Sequence, residues 1–215
     1  MGQYYQPTII TPDGRILLLD PYDFNNGAKL TEHSWIGNDL VNAASSLILN
    51  SSKQVAWIGD YSNDDYETCD EEYTKVYSFN QFINYYDAAW GENPKVISHK
   101  LFSKPDLTML DYGSTNWRLI NHDKHIYINL DVFTIENTTR GGLWDGWCMN
   151  PLPLLTACGN GRGGGDYGED YVGYANIGSW AFNHLEFAKK VPQNYAEFKC
   201  YFNESKIDRN ETEVS

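Results

Sequence analysis

Basic residues are scarce in this 215-residue chain, where 16 Lys and Arg stand against 29 Asp and Glu and give a formal net charge of -13. No local cluster of Lys or Arg offsets that charge, so we expect no direct binding to nucleic acid, which an acidic protein repels. Long apolar runs are also lacking, and no amino-terminal stretch resembles a signal peptide. We therefore expect a cytoplasmic protein that has no membrane association.

Several motifs with known chemistry are missing. The four cysteines show no CxxC spacing, so we expect free thiols in a reducing compartment and no zinc or redox motif. The five histidines show no HxxxH spacing, and no GxSxG nucleophile elbow occurs. A Walker A loop is absent as well. Nothing here identifies a catalytic residue, and we expect a protein that is not an enzyme.

Local patterns predict a hairpin and two helices. Two β-prone runs flank Pro12-Asp13-Gly14, a sequence typical of a turn. Apolar residues at spacings of three and four predict a helix from about 28 to 49, with a break at Gly37, and a second helix from about 73 to 90.

The remaining strong patterns are strands. The run 53–60 reads as a buried strand, and two strands flank Asn121–Lys124, the second continuing by alternation to Ile135. Two closing strands flank Pro192–Asn194. Without regular βαβ alternation, the pattern predicts an α+β fold: a single domain with a largely antiparallel sheet and about two or three helices.

The predicted domain boundaries follow from composition. We expect the single α+β domain to span residues 1–205, with 73–117 as a possible elaboration rich in Tyr and Phe. Residues 206–215 form a polar tail that we expect to be flexible.

The glycine-rich segment, residues 159–173, carries seven of the 18 glycines and one cation, Arg162. Glycine lets backbone N–H groups approach an anion closely, and Arg162 adds a bidentate donor for phosphate or carboxylate. Gly159, Gly161 and Gly164 fit GxGxxG formally, but no helical pattern follows, so a dinucleotide-binding unit is not expected. Two interpretations stay open: a ligand cradle, or a long turn held by an Arg162–Asp166 pair.

The acidic segment, residues 60–72, holds seven acids and no Lys or Arg. Asp60, Asp64 and Glu71 partly match the spacing of a calcium loop, although Asp65 stands where the sharp turn needs glycine. These three are weak candidates for a divalent metal, and a solvated acidic face is the alternative.

Tryptophans beside glycines are candidates for a stacking surface, as at Trp35 and Trp180. The alternative is that these rings cover the edge of the core. Together the patterns predict a ligand site, with these members: Asn160, Arg162, Gly163, Gly164, Gly165, Asp166, Trp35 and Trp180.

The opening MGQYY and the later PLPLLTACGNGRGGGDY resemble a group of small bacterial, phage and mobile-element proteins. The group has no assigned activity, so the resemblance carries over no catalytic residue. It implies a cytoplasmic setting, the host cytoplasm for a phage protein, and modulation of host defence.

The sequence thus predicts a non-enzymatic binding protein of phage or mobile-element type. Its partner is a host protein, possibly one of a defence system, or a small phosphorylated ligand held by the glycine-rich segment. One alternative is a metal-assisted hydrolase using carboxylates, with Asp60, Asp166, Glu169 and His33 as its residues. The other is a structural or interaction module whose glycine-rich segment is only architecture.

Overall fold

The computed structural model describes residues 3–62, 79–91, 116–136, 148–159, 174–200 and 202. Within these ranges eight strands form one mixed, mostly antiparallel sheet. The strands are β1 Tyr5–Ile10, β2 Ile16–Leu18, β3 Lys53–Gly59, β4 Arg118–Asn121, β5 Ile126–Asn129, β6 Ala157–Cys158, β7 His184–Ala188 and β8 Ala196–Glu197. The α+β single domain with a largely antiparallel sheet is confirmed.

Strand β3 is the centre of the sheet, whose order is β2-β1-β3-β7-β4-β5-β8. Its residues from Gln54 to Gly59 pair with β1 on one side. On its other side β7 pairs with Lys53 and Gln54, at the amino end, while β6 pairs in parallel with Trp57 and Ile58, near the carboxyl end. The opposite ends of β3 therefore meet different parts of the chain.

Helices are short in the described structure. They are α1 Leu30–His33, α2 Asp39–Leu47, α3 Phe79–Trp90, α4 Leu130–Glu136 and α5 Pro151–Thr156, with 3-10 helices at Pro21–Phe24 and Tyr174–Asn176.

The predicted break in the first helical region is confirmed at Gly37, which separates α1 from α2. Gly37 has φ of 87°, a left-handed conformation that favours glycine. Just beyond it, Asn38 begins α2 by accepting hydrogen bonds from the amides of Leu40 and Val41 through its side chain.

The two faces of the sheet carry separate hydrophobic cores because successive residues of a strand point to opposite faces. Val55 and Trp57 of β3 lie in the larger core, with residues of α2 and α5. Ala56 and Ile58 face the other way, where Tyr85, Tyr86, Ala89 and Trp90 of α3 cover them.

The strand predicted to run to Ile135 is wrong beyond Asn129, where α4 begins. The Asn129 side chain accepts a hydrogen bond from the Asp131 amide, which turns the chain into a helix. Phe133 then packs against Phe202, at 6.1 Å between ring centroids. Tertiary packing thus overrides the alternating pattern, which was too short to distinguish a strand from a helix.

Helix α5 was not predicted, although its start is written in the sequence. Asn150 caps it by accepting from the Leu152 amide at 3.0 Å, and Pro151 occupies the first turn, where its missing N–H has no cost.

The predicted elaboration and the polar tail lie largely outside the described residues, so those boundaries stay predictions. In the described part of the chain, no helix is long and apolar enough to cross a membrane.

The cap of α2 gives a direct test of this fold. Asn38→Ala should lower the free energy of unfolding by about 1–2 kcal/mol, because two amides of the first turn lose their acceptor. Asn38→Ser keeps an acceptor for these amides and should retain more of the stability, although like Asn38→Ala it loses the Nδ2 hydrogen bond to Asn26 Oδ1 at 2.7 Å. Urea unfolding followed by circular dichroism measures both variants, and equal losses would contradict the capping role.

Candidate functional site

The candidate site lies where β3 and β6 end side by side. Their parallel register pairs Trp57 with Ala157 and Ile58 with Cys158, so Gly59 and Gly159 are the next residues of each strand. The acidic segment starts directly after Gly59, and the glycine-rich segment starts at Gly159. Two segments that lie about 100 residues apart in sequence therefore begin at the same end of the sheet.

The Gln3 side chain lies against both of these starting points. It is 1% exposed, and its Oε1 accepts a hydrogen bond from the Tyr5 hydroxyl at 2.8 Å. A Cβ built on Gly59 or on Gly159 would overlap the Gln3 carboxamide. Glycine is required at both positions because the chain approaches Gln3 so closely.

Asp60 lies at the same place and is fastened through its backbone and side chain. Its Oδ1 accepts from the Tyr4 amide at 3.1 Å, and its carbonyl accepts from the Tyr86 hydroxyl at 2.7 Å. Partial burial raises the pKa of Asp60 above its ordinary value, against the opposing effect of the Tyr4 amide. Tyr4 and Tyr61 beside it are 44% and 42% exposed. We call Gln3, Tyr4, Gly59, Asp60, Tyr61 and Gly159 the β3–β6 end.

His33 is a core residue in this structure. It is fully buried, and its Nε2 lies 3.0 Å from Nε1 of Trp57. An indole N–H only donates, so Nε2 accepts, and Nδ1–H donates to the Gly27 carbonyl at 3.1 Å. Burial lowers the pKa of His33 to about 4. With both ring nitrogens occupied, His33 has no lone pair left for a metal or a substrate.

The two tryptophans of the predicted ligand site lie in the core. Trp35 is 4% exposed and donates its indole N–H to the Thr31 carbonyl at 2.8 Å. Trp180 is 1% exposed and packs on Phe198, at 5.5 Å between ring centroids. These positions correspond to the alternative interpretation, in which the rings cover the core, and offer no open face for stacking.

The other predicted site residues are outside the described residues, and their roles stay predictions. They are Asn160, Arg162, Gly163, Gly164, Gly165, Asp166 and Glu169 of the glycine-rich segment, and Asp64 and Glu71 of the acidic segment. Asp60 is the member of the weak metal set whose position is known. Among the residues that the structure describes, no three His, Cys, Asp or Glu side chains gather as metal ligands. A divalent metal at the acidic segment also stays a prediction.

A polar cluster that the sequence did not reveal lies at the opposite end of the sheet. His122 bonds Glu186 at 2.7 Å, and His184 bonds Asp123 at 3.0 Å. The pattern had placed His122 near a turn, but its partner comes from β7. No local signal predicts that partner, since it depends on which strands pair.

Comparisons with family models, with curated proteins and with solved structures find no match to this chain.

The buried His33 predicts a pH dependence of stability. A group whose pKa is about 4 when folded and 6.5 when unfolded stabilises the fold fully only above pH 6.5. As pH falls from 7 to 5 the unfolded chain takes up a proton that folded His33 refuses, at a loss of about 2 kcal/mol.

The measurement is urea unfolding at pH 7 and pH 5. His33→Gln, which keeps a donor and an acceptor, should remove about this much of the pH dependence. His184→Gln, at a histidine whose side chain is 49% exposed, is the control and should leave it in place. An unchanged pH dependence in His33→Gln would rule out His33 as its source.

The close approach of Gly159 to Gln3 predicts a coupling between the two residues. Gly159→Ala should destabilise the protein by about 1–3 kcal/mol, because the new methyl displaces the buried carboxamide. Gln3→Ala removes the carboxamide and leaves the Tyr5 hydroxyl as the close neighbour of the new methyl, so the double variant should lose less than the sum of the two single losses. A double-mutant cycle from thermal or urea unfolding tests this, and simple additivity would show that the two residues do not meet.

Proposed function

We propose that this chain is a non-enzymatic binding protein of phage or mobile-element type, and that its partner binds at the β3–β6 end. The observation that supports the proposal is the parallel register of β3 and β6, which starts the acidic and the glycine-rich segments beside one another. Ligands of sheet proteins commonly bind outside the carboxyl ends of parallel strands, where loops from neighbouring strands meet.

Charge favours a basic protein surface as the partner. The acidic segment contributes seven carboxylates, and the glycine-rich segment contributes three more and Arg162. Such an excess attracts a Lys- or Arg-rich surface over long range and repels anions. A host protein, for instance a component of a defence system that normally holds nucleic acid, has that chemistry.

The exposed tyrosines support the same partner. Tyr61 follows Asp60 in the chain, Tyr4 donates its amide to the Asp60 side chain, and both tyrosines are about two-fifths exposed. A tyrosine face attracts a guanidinium or ammonium group, and a neighbouring carboxylate pairs with it. Tyrosine is also enriched at the centres of protein interfaces.

A small phosphorylated ligand is the second candidate, and Arg162 with its glycines is the feature that favours it. Backbone N–H groups and one guanidinium would hold the phosphate. The hydrolase alternative is weaker, because His33, one of its four residues, has both ring nitrogens bonded in the core.

The charge at Asp60 separates these candidates. Asp60→Asn keeps an acceptor for the Tyr4 amide but removes the charge, and should weaken binding of a basic host protein by about tenfold. Asp13→Asn is the matched control, since Asp13 lies on the β1–β2 turn at the other end of β1 and pairs with Arg15. The tagged protein and its variants are used to capture partners from bacterial lysate, and a purified partner is titrated at low and high salt.

Arg162→Ala, with Arg15→Ala as its control, tests the second candidate. A nucleotide or other phosphorylated compound that co-purifies with the wild type and is lost in Arg162→Ala, but kept in Asp60→Asn, would replace the host protein as the partner. A binding constant insensitive to Asp60→Asn and to salt would overturn the basic-surface proposal. If the protein co-purifies with no ligand and captures no partner from lysate, the proposed binding function itself is overturned.

A further inference from the structure

Three polar side chains linked by hydrogen bonds lie at the end of the sheet opposite the β3–β6 end. His184 pairs with Gln54 at the amino end of β3, whereas Gly59 and Gly159 mark the other end. The three side chains come from different segments: His122 from the β4–β5 turn, Glu186 from β7, and Tyr195 from the loop before β8. These three side chains therefore lie at a different end of the sheet from the proposed binding site.

The hydrogen bonds fix which tautomer the neutral imidazole adopts. His122 Nε2 lies 2.7 Å from Glu186 Oε2, and Nδ1 lies 3.2 Å from the Tyr195 hydroxyl. A carboxylate accepts, so Nε2 carries the proton in the neutral ring, and its Nδ1 lone pair faces the phenol. The Tyr195 hydroxyl then donates to His122. This is the order carboxylate, imidazole, hydroxyl that the Ser-His-Asp triad uses to activate its nucleophile.

The backbone holds Tyr195 against the β4–β5 turn. The Ala196 amide donates to the His125 carbonyl at 3.1 Å, and the His125 ring meets the Tyr195 ring edge-on at 5.1 Å. His125 and Asn194 both have left-handed backbone, with φ of 53° and 71°. That conformation is uncommon outside glycine. It occurs at His125 and directly before Tyr195, the two residues whose rings are in contact.

The turn itself is fastened to β7 by a second pair. Asp123 accepts from the His184 amide at 2.7 Å and lies 3.0 Å from the His184 ring nitrogen. His122 is thus held on a supported turn. Its side chain is 24% exposed and that of Glu186 is 21% exposed, so both groups are in partial contact with solvent.

We propose that Tyr195 is a nucleophile that accepts an acyl group from an activated ester, with His122 as its general base and Glu186 as the positioning residue. The Tyr195 oxygen forms a bond to the acyl carbon while its proton passes to His122 Nδ1. The bond from that carbon to the leaving oxygen breaks, and the alcohol or phenol product takes up the proton from His122. The outcome is one O-acyl tyrosine and one free alcohol, with no further reactant.

An uncharged acyl group suits this place better than a phosphoryl group. The carboxylates of Glu186 and Asp123 flank the cluster, and they would repel the anionic oxygens of a phosphate ester. A neutral ester meets no such repulsion. Each protein molecule would be acylated once without turnover, which is compatible with a non-enzymatic binding function.

The test uses p-nitrophenyl acetate as the acyl donor and the whole protein. Release of p-nitrophenolate gives the rate, and peptide mass mapping gives the residue acetylated. Tyr22, 64% exposed on its 3-10 helix, is an internal control in every sample. Tyr195 should be acetylated at least about tenfold faster than Tyr22, since a positioned general base accelerates such steps by about 10²–10⁴-fold.

Three variants assign the roles. Tyr195→Phe should abolish the fast phase, and His122→Gln should slow acetylation of Tyr195 to the rate of Tyr22. Glu186→Gln should change the pH profile of the fast phase while Tyr195 remains its site, which a merely structural loss would not do. Circular dichroism verifies that each variant is folded.

The pH dependence of acetylation in the wild type is a test that does not require any variant to fold. Acetylation of Tyr195 should reach its plateau at lower pH than that of Tyr22, because the imidazole removes the proton. His125 and the His184–Asp123 pair are ionisable groups that lie nearby and support the turn, so His125→Gln and His184→Gln can change the height of the plateau but should not move the pH at which it is reached. Equal rates at Tyr195 and Tyr22, or an unchanged rate in folded His122→Gln, would overturn the proposal.

Discussion

The hydrogen bond from Trp57 to His33 is the interaction on which most of this fold depends. An indole N–H only donates, so the bond exists only while His33 is neutral and has its proton on Nδ1. That proton in turn bonds the Gly27 carbonyl, and the neighbouring Ala28 carbonyl accepts from the Tyr5 amide. The segment before α2 is thereby fixed beneath β3 and β1. The larger core forms around this point, with Trp57 fully buried.

A fixed β3 also separates two kinds of chemistry. At its carboxyl end β6 runs parallel to it, and this end presents glycines, Asp60 and exposed tyrosines. Near its amino end β7 runs antiparallel to it and carries Glu186, which bonds His122, and His122 in turn contacts Tyr195. Strands β6 and β7 pair with the same side of β3 but at its opposite ends. The two groups of polar residues are therefore separated by the length of β3.

The sequence predicted the features that depend on local chemistry. The Pro12-Asp13-Gly14 turn and the break at Gly37 were found because each needs only a few adjacent residues of special backbone preference. The change from β5 to α4 was missed, because Phe133 is drawn into the core by Phe202, which is distant in sequence. Composition and periodicity carry no record of such a contact.

The same distinction applies to the sites. The acidic and glycine-rich segments stood out by composition, but their common starting point depends on two residue pairs between β3 and β6. Likewise, His122 was visible as a residue, yet only strand pairing supplies Glu186. Trp35 and Trp180 are buried in the core, and sequence alone left that interpretation open, since a Trp beside glycine has the same sequence signature in a core and at a ligand.

The environment of Asp60 supports the proposal that the β3–β6 end binds a basic partner. Its carboxylate is partly desolvated, and burial raises its pKa, so ionisation there already has a cost. An approaching guanidinium would lower that pKa and offset the cost, whereas a phosphate would increase it. Binding of a basic partner is therefore linked to the ionised form of Asp60, and the affinity should rise with pH through the range in which this carboxyl loses its proton.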